Sequence, residues 1–568
     1  MQIIVKYKKN ASMRLSKLII KNFRGLKGEQ NEIDFSKSDI IFLLGQNNVG
    51  KSTYLRAYEF FTNPKQTATR EDFYNHTADN EIIIEGWFIK EDSDDDDTEL
   101  KGKSKDADWL TKWVGTDNFI KIKKEWKIIG GSFEKYTFSP TENNWIINGF
   151  GGLDTLFTKH APTPIAISAM EDQASLEEKV NKLIQDDFIK KVKETYTEEY
   201  NTLIEGVKNL QTKITGSESV ENLNAELNKH FQKVFADLTL KIQATKDENI
   251  KIEDAFKKNH SVIVERTENP RKETFLQNGH GVIRQALFNF LTFLKKDTET
   301  NRKQYLILFE EPEVFLHPKV AFKLRESLYE LAEKSPYQII CATHSPLMID
   351  ISKPHASLIR VVKNVDETTT TFQVGDDIFG RDDEQKERVQ MINRFNPHIC
   401  ETFYADKVLL VEGDTETIVY RDLLKRYYPN EEIFVLNTGS KNNIPFFQEI
   451  LTKFQINHFV IHDTDIEQLD SGNKNPAWSL NQTIWTKIEE ANKIKSDLAR
   501  RYVHITNFEK AHNIILSGGK DKPLKAFQFV KQIEKDKEIP DCLKWLDDIV
   551  DKQEILHDMD YISKNVSN

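Results

Sequence analysis

The segment from Asp39 to Thr53, DIIFLLGQNNVGKST, constrains the fold more than any other part of the chain. It begins with the apolar run Ile40–Leu44, which predicts a short buried strand. The next residues, GQNNVGKS, match the pattern G-x-x-x-x-G-K-[ST] at every position. Residues Tyr54–Phe61 then predict a helix, so the motif lies between a strand and a helix. This arrangement is typical of a loop that binds the phosphates of a nucleoside triphosphate.

Each residue type in this loop has a chemical role. Glycine adopts backbone conformations that direct consecutive N–H groups at phosphate oxygens. Lysine adds a positive charge against the β- and γ-phosphates, and serine holds Mg²⁺. A helix that begins near the lysine also directs its positive end at the same anion. We therefore predict that ATP and Mg²⁺ bind at Gly45, Asn48, Gly50, Lys51, Ser52 and Thr53, with Ser52 on the metal.

Charge and cysteine content restrict the class of protein. The chain has 79 Lys and Arg against 90 Asp and Glu, a net charge of −11, so a nucleic-acid partner would need a locally basic surface. Cys341, Cys400 and Cys542 form no C-x-x-C pair, which disfavours a zinc ribbon or a disulfide framework. No apolar run reaches the roughly 20 residues that span a bilayer, and no signal-peptide core is visible. We expect a cytoplasmic protein with no membrane association.

The beginning of the chain leaves two alternatives open. Residues 1–12 precede the first strand pattern, Leu15–Phe23, and look dispensable. Either these residues are a native extension, or Met13 is the biological start.

A long helical segment follows the first strands. From Leu176 to Ile214, apolar residues recur at steps of three and four, which predicts one long amphipathic helix. Gly216 interrupts the pattern, and residues 220–235 continue it on a second helix. The apolar stripe of this helical hairpin either forms a contact between two chains or packs on its own domain.

Three further segments carry groups that a phosphate-binding loop needs. FLQNGHGVIRQ contains Gly279 and Gly281 before a helix, a shape that presents N–H groups to phosphate. YLILFEEPEVFLHP ends an apolar strand in Glu310, which can reach Mg²⁺, and Glu311, which can orient or deprotonate the attacking water. QIICATHSPLMID predicts another buried strand, and its His344 can contact the γ-phosphate.

With the strand KLIIKNFRG, these motifs resemble the ATP-binding-cassette (ABC) ATPases of the RecF, SMC and OLD (overcoming lysogenisation defect) type, over about residues 13–400. The resemblance implies that the loop with Gly279 completes the nucleotide site of a partner subunit, and hence a homodimer or higher homo-oligomer. Two features depart from the family pattern. Glu310 stands where the family usually has aspartate, and the signature loop reads QNGHG rather than LSGGQ.

A second catalytic unit follows. KVLLVEGDTETIVY predicts a buried strand ending in Glu412, a glycine turn, and a helix that carries Glu416 toward it. HFVIHDTD predicts another strand, ending in Asp463 and Asp465, whose spacing lets both carboxylates face one metal site. Carboxylates at the ends of neighbouring parallel strands form an oxygen-rich cluster suited to Mg²⁺ or Mn²⁺. Their mutual repulsion would be costly without a cation.

This unit resembles a Toprim domain, and an ABC-type ATPase followed by Toprim is the arrangement of OLD-family nucleases. The resemblance implies that further acidic and lysine residues downstream assist two-metal cleavage of DNA. The best matches are Glu509, in TNFEKAHN, as a metal ligand and Lys522, in KDKPLKAFQF, as a catalytic lysine, with Lys520 and Lys525 as rivals.

We therefore expect an α/β protein: an ABC-type ATPase with a helical insertion, followed by a Toprim domain. The predicted parts are the N-terminal ATPase part, the helical insertion, the C-terminal ATPase part and the Toprim nuclease, at 13–174, 175–236, 237–400 and 401–568. The expected function is ATP-gated, metal-dependent DNA cleavage. In the family such enzymes commonly serve defence against phage, sometimes beside a helicase or a reverse transcriptase with its DNA product. The alternative is an ATP-switched, RecF- or SMC-like DNA-binding or scaffold protein whose Toprim domain does not cut.

Overall fold

The computed structural model describes two compact units, residues 1–169 with 298–568 and residues 170–297. Within them, the described residues are 13–28, 31–89, 112–150, 155–172, 174–179, 195–215, 225, 263–265, 272–274, 277, 279, 281–283, 304–333, 336–374, 387, 397–469, 471–514, 522–535 and 539–566. Residues 1–12 and, apart from residue 225, the predicted second helix at 220–235 lie outside this set.

An antiparallel sheet begins the larger unit. Its strands are β1 (Arg14–Lys21), β2 (Glu32–Asp34), β4 (Ile82–Ile89), β5 (Phe119–Trp126), β6 (Glu134–Ser139) and β7 (Asn144–Ile147), in the order β2-β1-β4-β5-β6-β7. Alternate residues are buried, as in a sheet that packs on one face. That face packs on helix α1 (Lys51–Thr62), where the rings of Phe61 and Phe88 stack 6.4 Å apart.

A mostly parallel sheet carries the nucleotide motifs. Its strands are β3 (Ile40–Leu44), β8 (Thr163–Ile167), β11 (Tyr305–Glu310), β12 (Tyr337–Ala342), β13 (Leu358–Lys363) and β14 (Thr369–Gln373), in the order β14-β13-β3-β12-β11-β8, with β14 antiparallel. Strands β3 and β12 are buried along their whole length, because both faces of the sheet are covered. Since β3, β12 and β11 are parallel neighbours, the segments that follow them leave the same edge of the sheet.

A second parallel sheet lies in the same unit. Its strands are β15 (Lys407–Val411), β16 (Ile433–Asn437), β17 (Asn457–Asp463) and β18 (Ala499–His504), in the order β16-β15-β17-β18. It joins the preceding sheet through Arg360 on β13. The buried guanidinium of Arg360 donates hydrogen bonds to the carbonyl oxygens of Ala405, Phe454 and Gln455, each at 3.3 Å.

Further helices among the described residues are α2 (Thr155–His160), α3 (Thr197–Thr215), α4 (Pro318–Ala332), α5 (Asp414–Tyr427), α6 (Ile444–Lys453), α7 (Pro476–Ile494), α8 (Phe508–Ala511), α9 (Lys522–Gln532), α10 (Asp541–Asp547) and α11 (Met559–Val566). In this part of the chain, no helix is both long and apolar enough to cross a membrane. Cys341, Cys400 and Cys542 are buried free thiols.

The smaller unit differs from the expected single helix. The described helix α3 begins at Thr197, after a bend at Tyr196, so the predicted run from Leu176 to Ile214 is not one continuous helix. Glu198 and Glu199 occupy the first turn of α3, where acidic side chains favour a helix start. A two-stranded antiparallel pair, β9 (Ile263–Glu265) with β10 (Lys272–Thr274), also lies in this unit.

Candidate active sites

The glycines of the phosphate-binding loop (P-loop, residues 45–52) adopt conformations that other residues rarely reach. Gly45 has φ of +140° and Gly50 has φ of +97°. A Cβ atom at Gly45 would clash with the carbonyl oxygen of Val361, and one at Gly50 would lie 2.8 Å from Cδ2 of Leu26. The close approach of β13 at Gly45 and the positive φ at Gly50 therefore favour glycine at these positions. The other predicted ligands have exposed or half-buried side chains: Asn48, Ser52 and Thr53.

Lys51 is directed back into this loop. Its side chain is buried, and Nζ donates to the carbonyl oxygens of Gly45 and Gln46, both at 2.6 Å. Burial lowers the pKa of Lys51 to about 8, while Glu311 and Glu313 oppose that shift. The ammonium group therefore lies between the loop and the acidic turn that follows β11, where a phosphate would gain a charge-assisted hydrogen bond.

The carboxylates after β11 face the histidine after β12. Glu310 ends β11, and Glu311 adopts a left-handed conformation with φ of +43°. Its N–H donates to the carbonyl oxygen of Ala342 at 2.7 Å, and its Oε1 lies 3.7 Å from Nε2 of His344. Burial lowers the pKa of His344, and Lys51 adds to the shift, so the imidazole is neutral at pH 7. The structure thus brings Lys51, Glu311 and His344 together.

The sequence analysis missed Glu313 at this site. Its Oε1 accepts hydrogen bonds from Oγ1 of Thr343 at 2.7 Å and from the N–H of His344 at 3.1 Å. Burial raises the pKa of Glu313. This carboxyl group therefore fixes the turn that carries His344. The sequence feature that could have identified Glu313 is its position as the third acidic residue of EEPE, just after Glu310 and Glu311.

The predicted signature loop belongs to the smaller unit. Gly279 is exposed, and residues 281–283 are helical. The role of this loop in a partner's nucleotide site stays a prediction.

Three of the predicted metal ligands lie near one another at the carboxyl edge of the second parallel sheet. Glu412 follows β15, Glu416 lies on α5, and Asp463 ends β17. The N–H of Asp463 donates to Oε1 of Glu412 at 2.7 Å. Burial and the charge of Asp463 raise the pKa of Glu412 to about 8 and that of Glu416 to about 7. Burial, Asp465 and Glu509 raise the pKa of Asp463 to about 7.

Asp465 is instead paired with Lys441, a residue that the sequence analysis missed. Nζ of Lys441 donates to Oδ2 of Asp465 at 2.7 Å and to the carbonyl oxygen of Asp463 at 2.6 Å. Asp465 has φ of +62°, and its N–H donates to the carbonyl oxygen of Thr506. The expectation that both aspartates face one metal site stays a prediction, and in this structure Lys441 holds the Asp465 carboxylate. The signal for Lys441 was its place in NTGSKNN, just after a neighbouring strand.

Glu509 also carries a lysine partner. It lies on α8, whose first turn is capped by the side chain of Asn507, and its Oε1 is 2.9 Å from Nζ of Lys522. Lys522 is the first residue of α9 and is half exposed. Of its predicted rivals, Lys520 lies outside the described residues. The structure thus brings Lys522 to the predicted ligand Glu509.

The donor set fits a hard divalent cation. Oδ1 of Asp463 is buried and accepts no hydrogen bond; Nδ1 of the buried His504 lies 3.4 Å from it, and Asp465 and Glu509 supply carboxylate oxygens nearby. In the observed arrangement, no three Asp, Glu, His or Cys side chains of the described residues converge closely enough to hold a metal. Because Asp465 and Glu509 are paired with lysines, a cation would have to draw them away from these partners.

The two sites are connected through the P-loop itself. Nε2 of Gln46 donates to Oδ2 of Asp406 at 2.9 Å and lies 3.3 Å from Oε2 of Glu432. Asp406 immediately precedes β15, and Glu432 immediately precedes β16. The carbonyl group of the same Gln46 accepts from Lys51. One residue of the nucleotide loop therefore contacts both the P-loop lysine and the sheet that carries Glu412.

Comparisons with known proteins support the division of the chain into an ATPase part and a Toprim part. A family described as "AAA ATPase domain" matches residues 13–143 and 119–349, and "Overcoming lysogenization defect protein-like, TOPRIM domain" matches residues 403–465. The chain is 26% identical to "Old nuclease" of Escherichia phage P2, over 89% of each chain. It is 23% identical to "Endonuclease GajA" of Bacillus cereus (strain VD045), over 80% of this chain and 75% of that one.

A solved structure titled "Crystal structure of the SmcHead bound to the C-winged helix domain of ScpA" matches 66% of this chain and 99% of its own, with 14% identity and a TM-score of 0.39. The expected order of an ATPase followed by a Toprim domain is confirmed by the two family matches. The chain belongs to the AAA ATPase domain family and carries an OLD-like TOPRIM domain after it.

Proposed function

We propose that the protein is an ATP-dependent, metal-dependent DNA endonuclease that serves in defence against phage. One observation carries the proposal: Glu412, Glu416 and Asp463 cluster at one edge of a parallel sheet, in the same compact unit as the P-loop. The relatives named Old nuclease and Endonuclease GajA support a nuclease activity. Mg²⁺ is the proposed metal, with Mn²⁺ as an alternative at the Toprim site.

In this proposal, the carboxylates hold the metal and a lysine neutralises the charge that develops on the phosphate. Glu412, Glu416 and Asp463 would bind the cation first, with Asp465 and Glu509 completing the set. A bound divalent cation would activate water and stabilise the leaving oxygen. Lys522, released from Glu509, would neutralise the charge that develops on the phosphate.

The ATPase site has its own proposed roles. Lys51 binds the β- and γ-phosphates, Ser52 and Glu310 hold Mg²⁺, and Glu311 orients or deprotonates the attacking water. His344 would contact the γ-phosphate. The bond from Gln46 to Asp406 supports gating, since a nucleotide that draws Lys51 away from the Gln46 carbonyl group also disturbs a residue that contacts the Toprim sheet.

Assembly is part of the proposal. We infer a homodimer or larger assembly in which Gly279 and Gly281 reach the nucleotide of a partner chain. A helicase, or a reverse transcriptase with its DNA product, is a proposed additional partner.

A second candidate function is an ATP-switched DNA-binding scaffold whose Toprim domain does not cut. The observation that favours it is the pairing of Asp465 and Glu509 with lysines, which leaves fewer carboxylates directed at one point. On this alternative, the lysines would be permanent substitutes for a metal.

A cleavage assay separates the two candidates. Purified protein is incubated with supercoiled and linear DNA, with Mg²⁺ or Mn²⁺, and with or without ATP. Glu412→Ala and Asp463→Ala should abolish cleavage, by orders of magnitude in rate, and leave ATP binding intact. Lys522→Ala should slow cleavage and leave metal binding in place. If Glu412→Ala and Asp463→Ala both cut DNA like the wild type, the nuclease proposal fails and the scaffold replaces it.

A further inference from the structure

Lys441 occupies an unusual place for a lysine. Its side chain is only 6% exposed, although lysine is rarely buried without a partner. It begins a 3₁₀ turn after β16 and reaches across the end of β15 to the end of β17. There its ammonium group bonds the main chain of Asp463 and the side chain of Asp465. The lysine is thus directed into the carboxylate cluster.

The backbone of Asp465 favours this contact. A φ of +62° is uncommon for a residue with a side chain. The conformation is fixed by two links to the segment after β18: the N–H of Asp465 donates to the carbonyl group of Thr506, and the N–H of Thr506 donates to Oγ1 of Thr464. The turn therefore holds the Asp465 carboxylate where Lys441 can bind it.

The charges around Lys441 explain why a cation is favoured there. Glu412, Glu416, Asp463 and Glu509 repel one another through a buried region, and each additional negative charge raises the cost. The ammonium group of Lys441 opposes that repulsion at Glu412 and at Asp463. Of the two lysines that pair with these carboxylates, Lys441 is 6% exposed and Lys522 is 48% exposed, so Lys441 is the more deeply buried cation.

We propose that Lys441 is an internal counter-cation that competes with the divalent metal for Asp465, and so sets how tightly the Toprim site binds metal. This inference rests on the proposed metal-dependent function. When metal enters, the bond between Lys441 and Asp465 must break, and two like charges then lie close together. Lys441 therefore weakens metal binding while it stabilises the metal-free protein.

A purely positioning role predicts the opposite result. If Lys441 served only to hold Asp465 in a shape that fits the metal, its removal would disorganise the site and weaken metal binding. The sign of the change in metal affinity therefore separates the two roles, and it does not depend on measuring cleavage.

The test is Mn²⁺ binding to the full-length protein, without nucleotide or DNA, followed by the electron paramagnetic resonance signal of free Mn²⁺. The Mn²⁺ binding that is lost in Asp463→Asn is assigned to the Toprim site. Lys441→Met, which removes the charge and both hydrogen bonds, should bind Mn²⁺ there about tenfold more tightly than the wild type. Lys441→Arg, which keeps the charge, should stay close to the wild-type dissociation constant.

A control is Lys453→Met, which removes the same charge from an exposed lysine on α6 that pairs with Glu449. It should leave Mn²⁺ binding unchanged. As a second measurement, saturating Mn²⁺ should raise the unfolding midpoint of Lys441→Met by more than that of the wild type. If Lys441→Met does not fold, Lys441→Gln carries the same expectation.

Unchanged or weaker Mn²⁺ binding by the folded Lys441 variant overturns the counter-cation role. A different result identifies a failure of the proposed function itself. If Asp463→Asn binds as much Mn²⁺ as the wild type with the same affinity, the cluster takes no metal, and both the nuclease proposal and this inference fall.

Discussion

The charge of Glu412 should make the metal-free protein less stable at alkaline pH. The pKa of this carboxyl group rises from 4.5 to about 8 in the folded protein, because of burial and the neighbouring Asp463. A raised pKa means that the folded state holds the proton more tightly than the unfolded state. Stability is therefore lost as the pH rises from about 4.5 through about 8.

The substitution that tests this is Glu412→Gln. Glutamine keeps the oxygen that accepts from the N–H of Asp463, and it removes the charge. At about 1.4 kcal/mol per pKa unit, the full shift sets a ceiling of about 5 kcal/mol above pH 8. Because Asp463 shares the same repulsion, we expect a gain of about 2 kcal/mol for Glu412→Gln at pH 8 and much less at pH 5.

The assay is thermal unfolding of the metal-free protein in a chelator, at both pH values. A gain of about 2 kcal/mol corresponds to a rise of about 4–8 °C in the midpoint of the domain. Glu449→Gln, at a half-exposed carboxylate on α6 that pairs with Lys453 and Lys487, is the control and should change little. Adding Mn²⁺ should stabilise the wild type more than the variant, since the variant has lost a ligand. An unchanged or lower midpoint for Glu412→Gln at pH 8 would refute the reasoning.

Three further predictions concern the ATPase part. Lys51→Ala should weaken nucleotide binding. Glu311→Gln should bind ATP and hydrolyse it at least about 100-fold more slowly, as measured by phosphate release. If Glu311→Gln hydrolyses ATP at the wild-type rate, Glu310 becomes the better candidate for the catalytic group. The protein should sediment as a dimer or larger, and mixing Lys51→Ala with Gly279→Asp subunits should partly restore hydrolysis; a fully active monomer would contradict this. Gln46→Ala should reduce the difference between cleavage rates with and without ATP, and an unchanged difference would exclude this contact from the coupling.

Local patterns predicted the elements that carry each site. The apolar run Ile40–Leu44 forms β3 with the predicted bounds, because a short, continuous apolar run that ends at a glycine is typical of a fully buried strand. The strand predicted to extend to Asp465 ends at Asp463, and that difference has a physical reason. Asp465 turns into a left-handed conformation through bonds to a segment about 40 residues later, which no local pattern encodes.

The missed residues share a different cause. Glu313 and Lys441 act through partners in the segments that follow other strands, and a single charged residue in a chain that is 30% charged has no signal of its own. Their positions just after parallel strands were readable from the sequence, but the order of those strands in the sheets was not. The predicted amphipathic helix failed at Tyr196 for a related reason, since apolar spacing continues across a bend that only the backbone reveals.

The connection between the two parallel sheets bears on how ATP binding would affect the cleavage site. Arg360 lies on β13, beside the strand that leads into the P-loop, and burial lowers its pKa to about 10. Its guanidinium group remains charged at pH 7 and donates to the carbonyl groups of Ala405 and Phe454, in the segments that precede β15 and β17. Separating the two sheets would leave the buried guanidinium group and its carbonyl partners without hydrogen bonds, and this cost resists the separation. A nucleotide-driven change is therefore more easily carried by the half-exposed Gln46 contact than by movement of the whole Toprim sheet.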